Sequence, residues 1–600
     1  METTRSWRRF ALHYLAMVLA MLAGMFVLGG AIRASLGLAG VEYSLTRFPE
    51  LVILEMGLTM ALGMVGWMWF RGHRWPATLE MAGAMLAPAV ALVPLVWLAG
   101  LDGGTAIMLE HIVMFPLMLL VMLRRRDEYA MAHRRHRPVT RPAGGRRPLR
   151  VAGKVVAGVL AFLLLPGVFY LAGARAYEAT RYGEPAADAA GTVPLASAPT
   201  SHDPERPTAV VVIGGTGANV ADALAPYEVL ATTGAFNVYT VAPERRLVPL
   251  LGRLDLLPDL SFAELDRLLG GAPPDITIVP EIPSEPDSDA AVAGWLRDTA
   301  SGGLVVGVCR GARLLAAAGL LTGRPATSHW YRIAGLQAEY PDVDWRREVR
   351  YVDDGDVITT GGLLSGVDGA LRVVERLLGT EAAAAAARTV GWRYYSPGEP
   401  GALPASRLRP TDALLHLVNI GFRANETNLG VLLTDGIGEA ELASAFAPYA
   451  EVKAGRLLSI AVDGGTIRSR HGLTFVPRAD LAAIDRVERL LVPGAEVAAN
   501  PPPEAVAAAD RAEVPIDYLH AGPGFAFDGA LREIASHTDV PSAHWTAKVL
   551  EYSTADLALS GPNGPWAPAM RPLALGLLGL AVLVGLSRLR VRSAGRSAGP

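Results

Sequence analysis

The stretch at 304–330, LVVGVCRGARLLAAAGLLTGRPATSHW, decides the reading of this chain. Leu304, Val305 and Val306 form an apolar run of the kind a buried parallel strand needs. Gly307, Cys309 and Gly311 then crowd a sharp turn, and 310–321 follows with helical apolar spacing. Small residues around one side chain, between a strand and a helix, hold that side chain in a strained and accessible position. The Gly-x-Cys-x-Gly pattern therefore predicts a nucleophile elbow. Cys309 is the single cysteine of the chain, and a buried structural cysteine is the plain alternative. The neighbouring helix N-terminus and the cation Arg310 both favour a thiolate, which predicts a thiol pKa below its ordinary value of about 8.5.

Outward from this turn, strands and helices alternate. A strand is expected at 208–213, a glycine turn at Gly214, Gly215 and Gly217, and a helix at 220–232. Strands at 236–241 and 275–279 and a helix at 290–299 lead into the cysteine turn. Apolar strands alternating with helices imply an α/β fold with a parallel sheet covered on both faces. The Gly-Gly-Thr-Gly turn lacks the full dinucleotide spacing and the lysine of a phosphate loop, so no cofactor is expected. One cysteine excludes an intrachain disulfide and a cysteine metal cluster, and no metal site is expected.

Three ordered motifs then carry a resemblance. They are APYEVL at 225–230 with Glu228, CRGARLLAAAGLLTGRPATSHW at 309–330 with Cys309 and His329, and YVDDGDVITTGGLLSGVDGAL at 351–371 with Asp368. The region 207–395 resembles the DJ-1/PfpI family of the class I glutamine-amidotransferase-like superfamily. It is most similar to the branch found in AraC-type regulators and isonitrile hydratases. The resemblance implies that Glu228 shares a hydrogen bond or proton with the cysteine and that His329 stands near it as acid or base. Asp368 would orient that histidine or cap the following helix. Backbone N–H groups at Arg310 and Gly311 would stabilise developing negative charge, and Gly215 is a further candidate substrate contact. Arg310 departs from the small residue usual after the cysteine, so its side chain would bind an anion or close the pocket.

A thinner copy follows. NLGVLLT at 428–434 repeats the first strand, 457–462 the second, and 487–493 the third. Ala447-Pro448-Tyr449 matches Ala225-Pro226-Tyr227, and Asp528-Gly529-Ala530-Leu531 repeats 368–371 word for word. Ala450 stands where Glu228 would be, and no cysteine elbow lies between 494 and 515. His544-Trp545 reads as part of a terminal helix. The expected arrangement is a tandem of flavodoxin-like (DJ-1/PfpI-like) domains, the second degenerate, at 207–395 and 428–555, joined by a connector at 396–427. Such a tandem allows intrachain pairing of the copies, and a homodimer is the alternative.

Apolar stretches flank this module. They lie at 11–32, 51–70, 81–99, 105–123 and 151–171, each near the length that crosses a bilayer, and at 572–586, which is short unless 566–570 joins it. A cleaved signal peptide is the other reading of the first. Arginines crowd 124–150, follow the second span at Arg71 and Arg74, and end the chain at Arg588, Arg590, Arg592 and Arg596. The positive-inside rule then places both termini in the cytoplasm and 174–569 outside it, in an inner-membrane protein. The basic loop suits lipid headgroups, and with a formal net charge of −3 no nucleic-acid partner is expected. Glu110 and His111 lie within the fourth span, as functional groups or as interface residues. The membrane domain is expected at 1–173, a linker at 174–206, the last span at 567–588 and a tail at 589–600.

Two functions follow from the sequence. One is an extracytoplasmic module that senses a small ligand or stress and signals through the spans. The other is a cysteine-dependent hydrolase, hydratase or lyase acting on a small electrophile through Cys309.

Overall fold

The computed structural model describes Tyr14 and residues 16–33, 49–71, 75–98, 103–124, 147–185, 202–299, 302–423, 427–453 and 455–596. The basic stretch at 125–146 lies outside them. The chain forms two compact units, Met1–Lys154 and Val155–Pro600.

The first unit is helical. Helix α1, Ala16–Arg33, contains a π-helical turn at Met25–Gly29. It is followed by α2 (Pro49–Phe70), α3 (Trp75–Leu98) and α4 (Gly103–Arg124). Helices α1 and α2 meet where neither has a side chain: a Cβ on Gly24 would lie 2.8 Å from the Cα of Gly63. Glu110 is fully buried, and its carboxylate faces Gly57 of α2. His111 bonds the carbonyl of Ile107 one turn back, the ordinary way a helix absorbs a polar side chain.

Helix α5, Arg147–Arg181, starts before the boundary at Val155, runs past the expected span and ends inside the α/β region. The residues at 174–181, read from sequence as linker, are therefore helical. Close approach at glycines fixes α5. A Cβ on Gly579 of the helix Trp566–Arg596 would meet the Ala161 carbonyl at 2.0 Å. A Cβ on Gly173 would meet that of Ile420 at 2.5 Å. Ile420 belongs to the helix Pro410–Phe422, so the expected connector contains regular structure.

Among the described residues, three helices are long and apolar enough to cross a membrane, Ala16–Arg33, Leu51–Phe70 and Trp566–Gly585, and they support an integral-membrane location. The remaining expected spans fall on α3, α4 and α5.

The α/β region holds a seven-stranded sheet in the order β10-β11-β7-β6-β1-β2-β5. Its strands are β1 (Thr208–Val212), β2 (Asn237–Ala242), β5 (Leu260–Ser261), β6 (Ile276–Val279), β7 (Leu304–Gly307), β10 (Tyr351–Asp353) and β11 (Val357–Thr360). All pair in parallel except β10, which runs against β11. The central strands β1, β6 and β7 are buried throughout, as a sheet covered on both faces requires. Short strands β8 (Pro325–Ala326) and β9 (Asp344–Trp345) pair apart from it.

A second, five-stranded parallel sheet has the order β16-β13-β12-β17-β18. It is built from β12 (Asn428–Leu432), β13 (Arg456–Ala461), β16 (Ala479–Asp480), β17 (Arg489–Val492) and β18 (Ile516–Tyr518). Between the two lies a four-stranded antiparallel sheet. It joins the hairpin β3 (Val248–Leu250) and β4 (Leu254–Leu257) to the hairpin β14 (Ile467–Arg468) and β15 (Thr474–Val476). One apolar core runs through both regions, including Val306, Tyr449 and Phe527.

Candidate functional site

The site forms where the carboxyl ends of three adjacent strands, β1, β6 and β7, deliver side chains to one place. Cys309 follows β7 and precedes the short helix Gly311–Ala317. Its φ is +56°, a left-handed conformation that costs a non-glycine residue roughly 1–3 kcal/mol. The surroundings hold it there. The Cys309 N–H donates to Gly361 O at 3.0 Å, and the Ser328 hydroxyl donates to Cys309 O at 2.7 Å. Gly311 is obligatory in this turn, because a Cβ there would meet Val279 O at 1.9 Å.

Two carboxylates face the sulfur. Glu281, just past β6, accepts the thiol at 3.6 Å through Oε2. Asp222 lies in the first turn of the helix Val220–Ala231, which Asn219 caps through its side chain. Asp222 accepts the Glu281 N–H at 3.0 Å. The ligand atoms of Asp222, Glu281 and Cys309 lie within 4.8 Å of one another.

Electrostatics separates the two acids. Burial, then the charge of Glu281, pushes Asp222 well above the carboxylate range. Burial would raise Glu281 too, but Arg332, Arg181 and Arg310 together hold it below its ordinary value. The two carboxyls are thus pushed in opposite directions, with Asp222 holding its proton more tightly than Glu281. Cys309, 1% exposed, is pushed well up by burial and by both acids, with the Leu363 N–H opposing. The expected depression of the thiol pKa is thus reversed. A seven-residue helix and Arg310 do not offset the loss of water and two acid neighbours.

Glu228, expected at the cysteine, is placed elsewhere. It accepts the Ala440 N–H at 2.6 Å and pairs with Arg470 at 3.3 Å. It lies in a cluster with Glu439 and His471, and its pKa rises to about 7, chiefly through burial. The position that reaches the sulfur is Asp222, six residues earlier in the same helix.

His329 is buried, and its Nε2 donates to Val549 O at 2.9 Å. That bond fixes the neutral tautomer, and burial lowers the pKa to about 4. His329 makes no hydrogen bond to Cys309 or Asp368. Asp368 instead accepts from Trp392 Nε1 at 2.9 Å and pairs with Arg350 at 3.3 Å, so it neither orients the histidine nor caps a helix.

Of the expected backbone donors, Gly311 N–H bonds Val308 O at 2.7 Å and Gly215 N–H bonds the Ser288 hydroxyl at 3.1 Å. Arg310 sits at the N-cap of the short helix, where its charge helps keep Glu281 ionised.

A cavity of about 470 Å³ lies beside this site, lined by Ser328, Trp330, Arg350, Tyr394, Lys548 and Glu551 among others. Glu551 is buried in a left-handed conformation, φ +54°, and accepts the Ser365 hydroxyl at 2.6 Å. Burial raises its pKa to about 7, and its charge is felt at Cys309. No motif in the sequence marks Glu281, Arg332 or Glu551. Asp222 carries one faint signal, its place in the first helical turn after β1.

Residues 208–376 match the DJ-1/PfpI family. The chain is 31% identical over 176 residues to the isonitrile hydratase of Pseudomonas putida, covering 27% of this chain and 68% of that protein. It belongs to the DJ-1/PfpI family. It is also 35% identical over 97 residues to the HTH-type transcriptional regulator GlxA of Rhizobium meliloti, covering 16% of this chain and 29% of the regulator. Among solved structures, Drosophila melanogaster DJ-1beta is 21% identical, with a TM-score of 0.27 over 32% of this chain and all of that one.

Proposed function

We propose that this chain is a membrane-bound DJ-1/PfpI protein whose α/β region senses a small ligand or an oxidant, rather than turning over a substrate. One observation carries the reading: Cys309 is sealed from solvent with its thiol pKa pushed up, while a cavity lies on the far side of Ser328, whose hydroxyl bonds the Cys309 carbonyl. A protonated, enclosed sulfur is a poor standing nucleophile. The cavity shares Ser328 with the cysteine turn, and Glu551 grips the loop behind it. Occupancy there would reach Cys309 through those two residues.

In this reading the second half is a degenerate copy of the first. The order β16-β13-β12-β17-β18 parallels β5-β2-β1-β6-β7. Strand registers bring His520 to the position of Cys309. Asp528 accepts from Tyr552 at 2.6 Å as Asp368 does from Trp392. The copy supplies Val549 and Glu551 to the first site, a structural reason for it to persist without a nucleophile. Basic flanks favour cytoplasmic termini and an α/β region outside the cytoplasm of an inner-membrane protein. Helix α5 would couple the two environments, since its final residue, Arg181, helps hold Glu281 ionised.

The strained conformation of Cys309 and the split acid pair favour a second reading, a cysteine-dependent enzyme with Glu281 as base. Thermal-shift measurements on the full chain against small organic acids and electrophiles, with turnover assays beside them, separate the two. Ligand stabilisation without turnover supports sensing. Turnover of an isonitrile, amide or α-oxoaldehyde that disappears in Cys309→Ser contradicts it.

A further inference from the structure

Among the described residues, the main buried cluster shared by the four helices of the first unit is made of methionine and two alanines. Met17 and Met21 of α1, Met60, Met64 and Met68 of α2, Met81 and Met85 of α3, and Met114, Met118 and Met122 of α4 form one buried cluster. Its other buried members are Ala61 and Ala77, and Met25 and Met56 pack against it. On each helix the spacing is four residues, which returns the side chain to the same face about 6 Å further along.

Hydrophobicity alone does not account for this choice. Among the described residues the same helices carry leucine mainly on the outside: Leu19, Leu58, Leu62 and Leu79 are exposed, as is Ile112, while Ile53 is buried with Ala89 in a separate small cluster. Leucine fills a core with better-defined rotamers, and methionine is ordinarily a sparing gap-filler. What methionine alone adds is the thioether sulfur, a neutral soft ligand that selects Cu(I)-class ions over hard divalent cations. A second observation points the same way. Glu110 of α4 is completely buried against Gly57, next to Met56, and neither carboxylate oxygen has a hydrogen-bond partner among the described residues. A buried carboxylate without a donor calls for a compensating cation or a proton.

We propose that the α1–α4 bundle is a binding site for a soft monovalent cation of the Cu(I) class, held by methionine thioethers and balanced by Glu110. The ion enters and leaves in the same oxidation state, so no electron transfer is involved. The inference is independent of the reading of Cys309.

The test uses the full chain in detergent, carrying Cys309→Ser to remove the lone thiol. Cu(I) is titrated anaerobically, with excess reductant, against a chromophoric Cu(I) chelator. At least one Cu(I) should bind per chain, with an all-sulfur shell by X-ray absorption. The triple variant Met60→Leu, Met64→Leu, Met118→Leu keeps the side-chain volumes and should weaken binding at least tenfold at little cost in stability. Glu110→Gln should weaken it by less. Absence of Cu(I) binding, a nitrogen or oxygen shell, or an unchanged affinity in a folded triple variant each overturns the proposal. If that variant fails to fold, the absorption spectrum of the parent protein decides alone.

Discussion

The turn after β7 and the turn after β18 occupy corresponding places in their two sheets, yet they are held by opposite means. At Cys309 the backbone is strained, the glycine two residues on is obligatory, and two carboxyl groups crowd the sulfur. At His520 every polar atom is quiet. The Gly494 N–H donates to Nδ1 at 2.8 Å, and Nε2 donates to Ala526 O at 2.8 Å. That leaves a neutral imidazole with both nitrogens satisfied, and burial lowers its pKa. Strain and competing charges mark one turn, and complete hydrogen-bond satisfaction marks the other; on the proposed function the first is kept for sensing and the second for structure.

The largest expected break comes from the glycines two residues on. Gly311→Ala drives a methyl into Val279 O and should cost more than about 3 kcal/mol or prevent folding. Gly522→Ala meets nothing within 4 Å and should stay within about 0.5 kcal/mol in chemical denaturation. Similar losses at both would erase the distinction.

Glu551 sharpens the comparison through pH. Its folded pKa of about 7 lies above the ordinary carboxyl value. Its contribution to stability is therefore full below about pH 4.5 and is lost as pH rises through about 7. Glu551→Gln mimics the protonated form and should recover up to roughly 3 kcal/mol at pH 8 relative to pH 5. Unfolding curves at the two pH values check this, and an unchanged pH dependence would mean Glu551 titrates normally.

The smallest effect is expected at the quiet turn. His520→Leu leaves one N–H and one carbonyl without partners and should cost roughly 1–3 kcal/mol. It should leave the ionisation of Cys309 unchanged. A shift there would show that the two turns communicate.

Much of the cysteine turn was legible because its requirements are local. Gly307, Cys309 and Gly311 sit within five residues, and the strand and helix around them follow from apolar spacing. The acids were not legible in that way. Glu281 arrives from the end of β6, twenty-eight positions earlier, and its ionisation depends on Arg332 and Arg181 from other elements. The sequence motif drew attention to Glu228, but helix geometry turns Asp222 to the sulfur and sends Glu228 to Ala440. His520 carries no motif at all, and its place emerges only when strand registers are compared. The methionine interior had no counterpart in the sequence reading, and it emerges only when four helices face one another.

The state of Cys309 is the most direct test of the account. Because the chain has one cysteine, ultraviolet difference titration of wild type against Cys309→Ser reports that thiolate alone, without requiring a reagent to reach it. The account predicts a midpoint above the ordinary thiol value of about 8.5, moving down in Glu281→Gln as one of the two acid neighbours loses its charge. A midpoint near or below neutral pH would contradict it, and would make Cys309 a standing nucleophile.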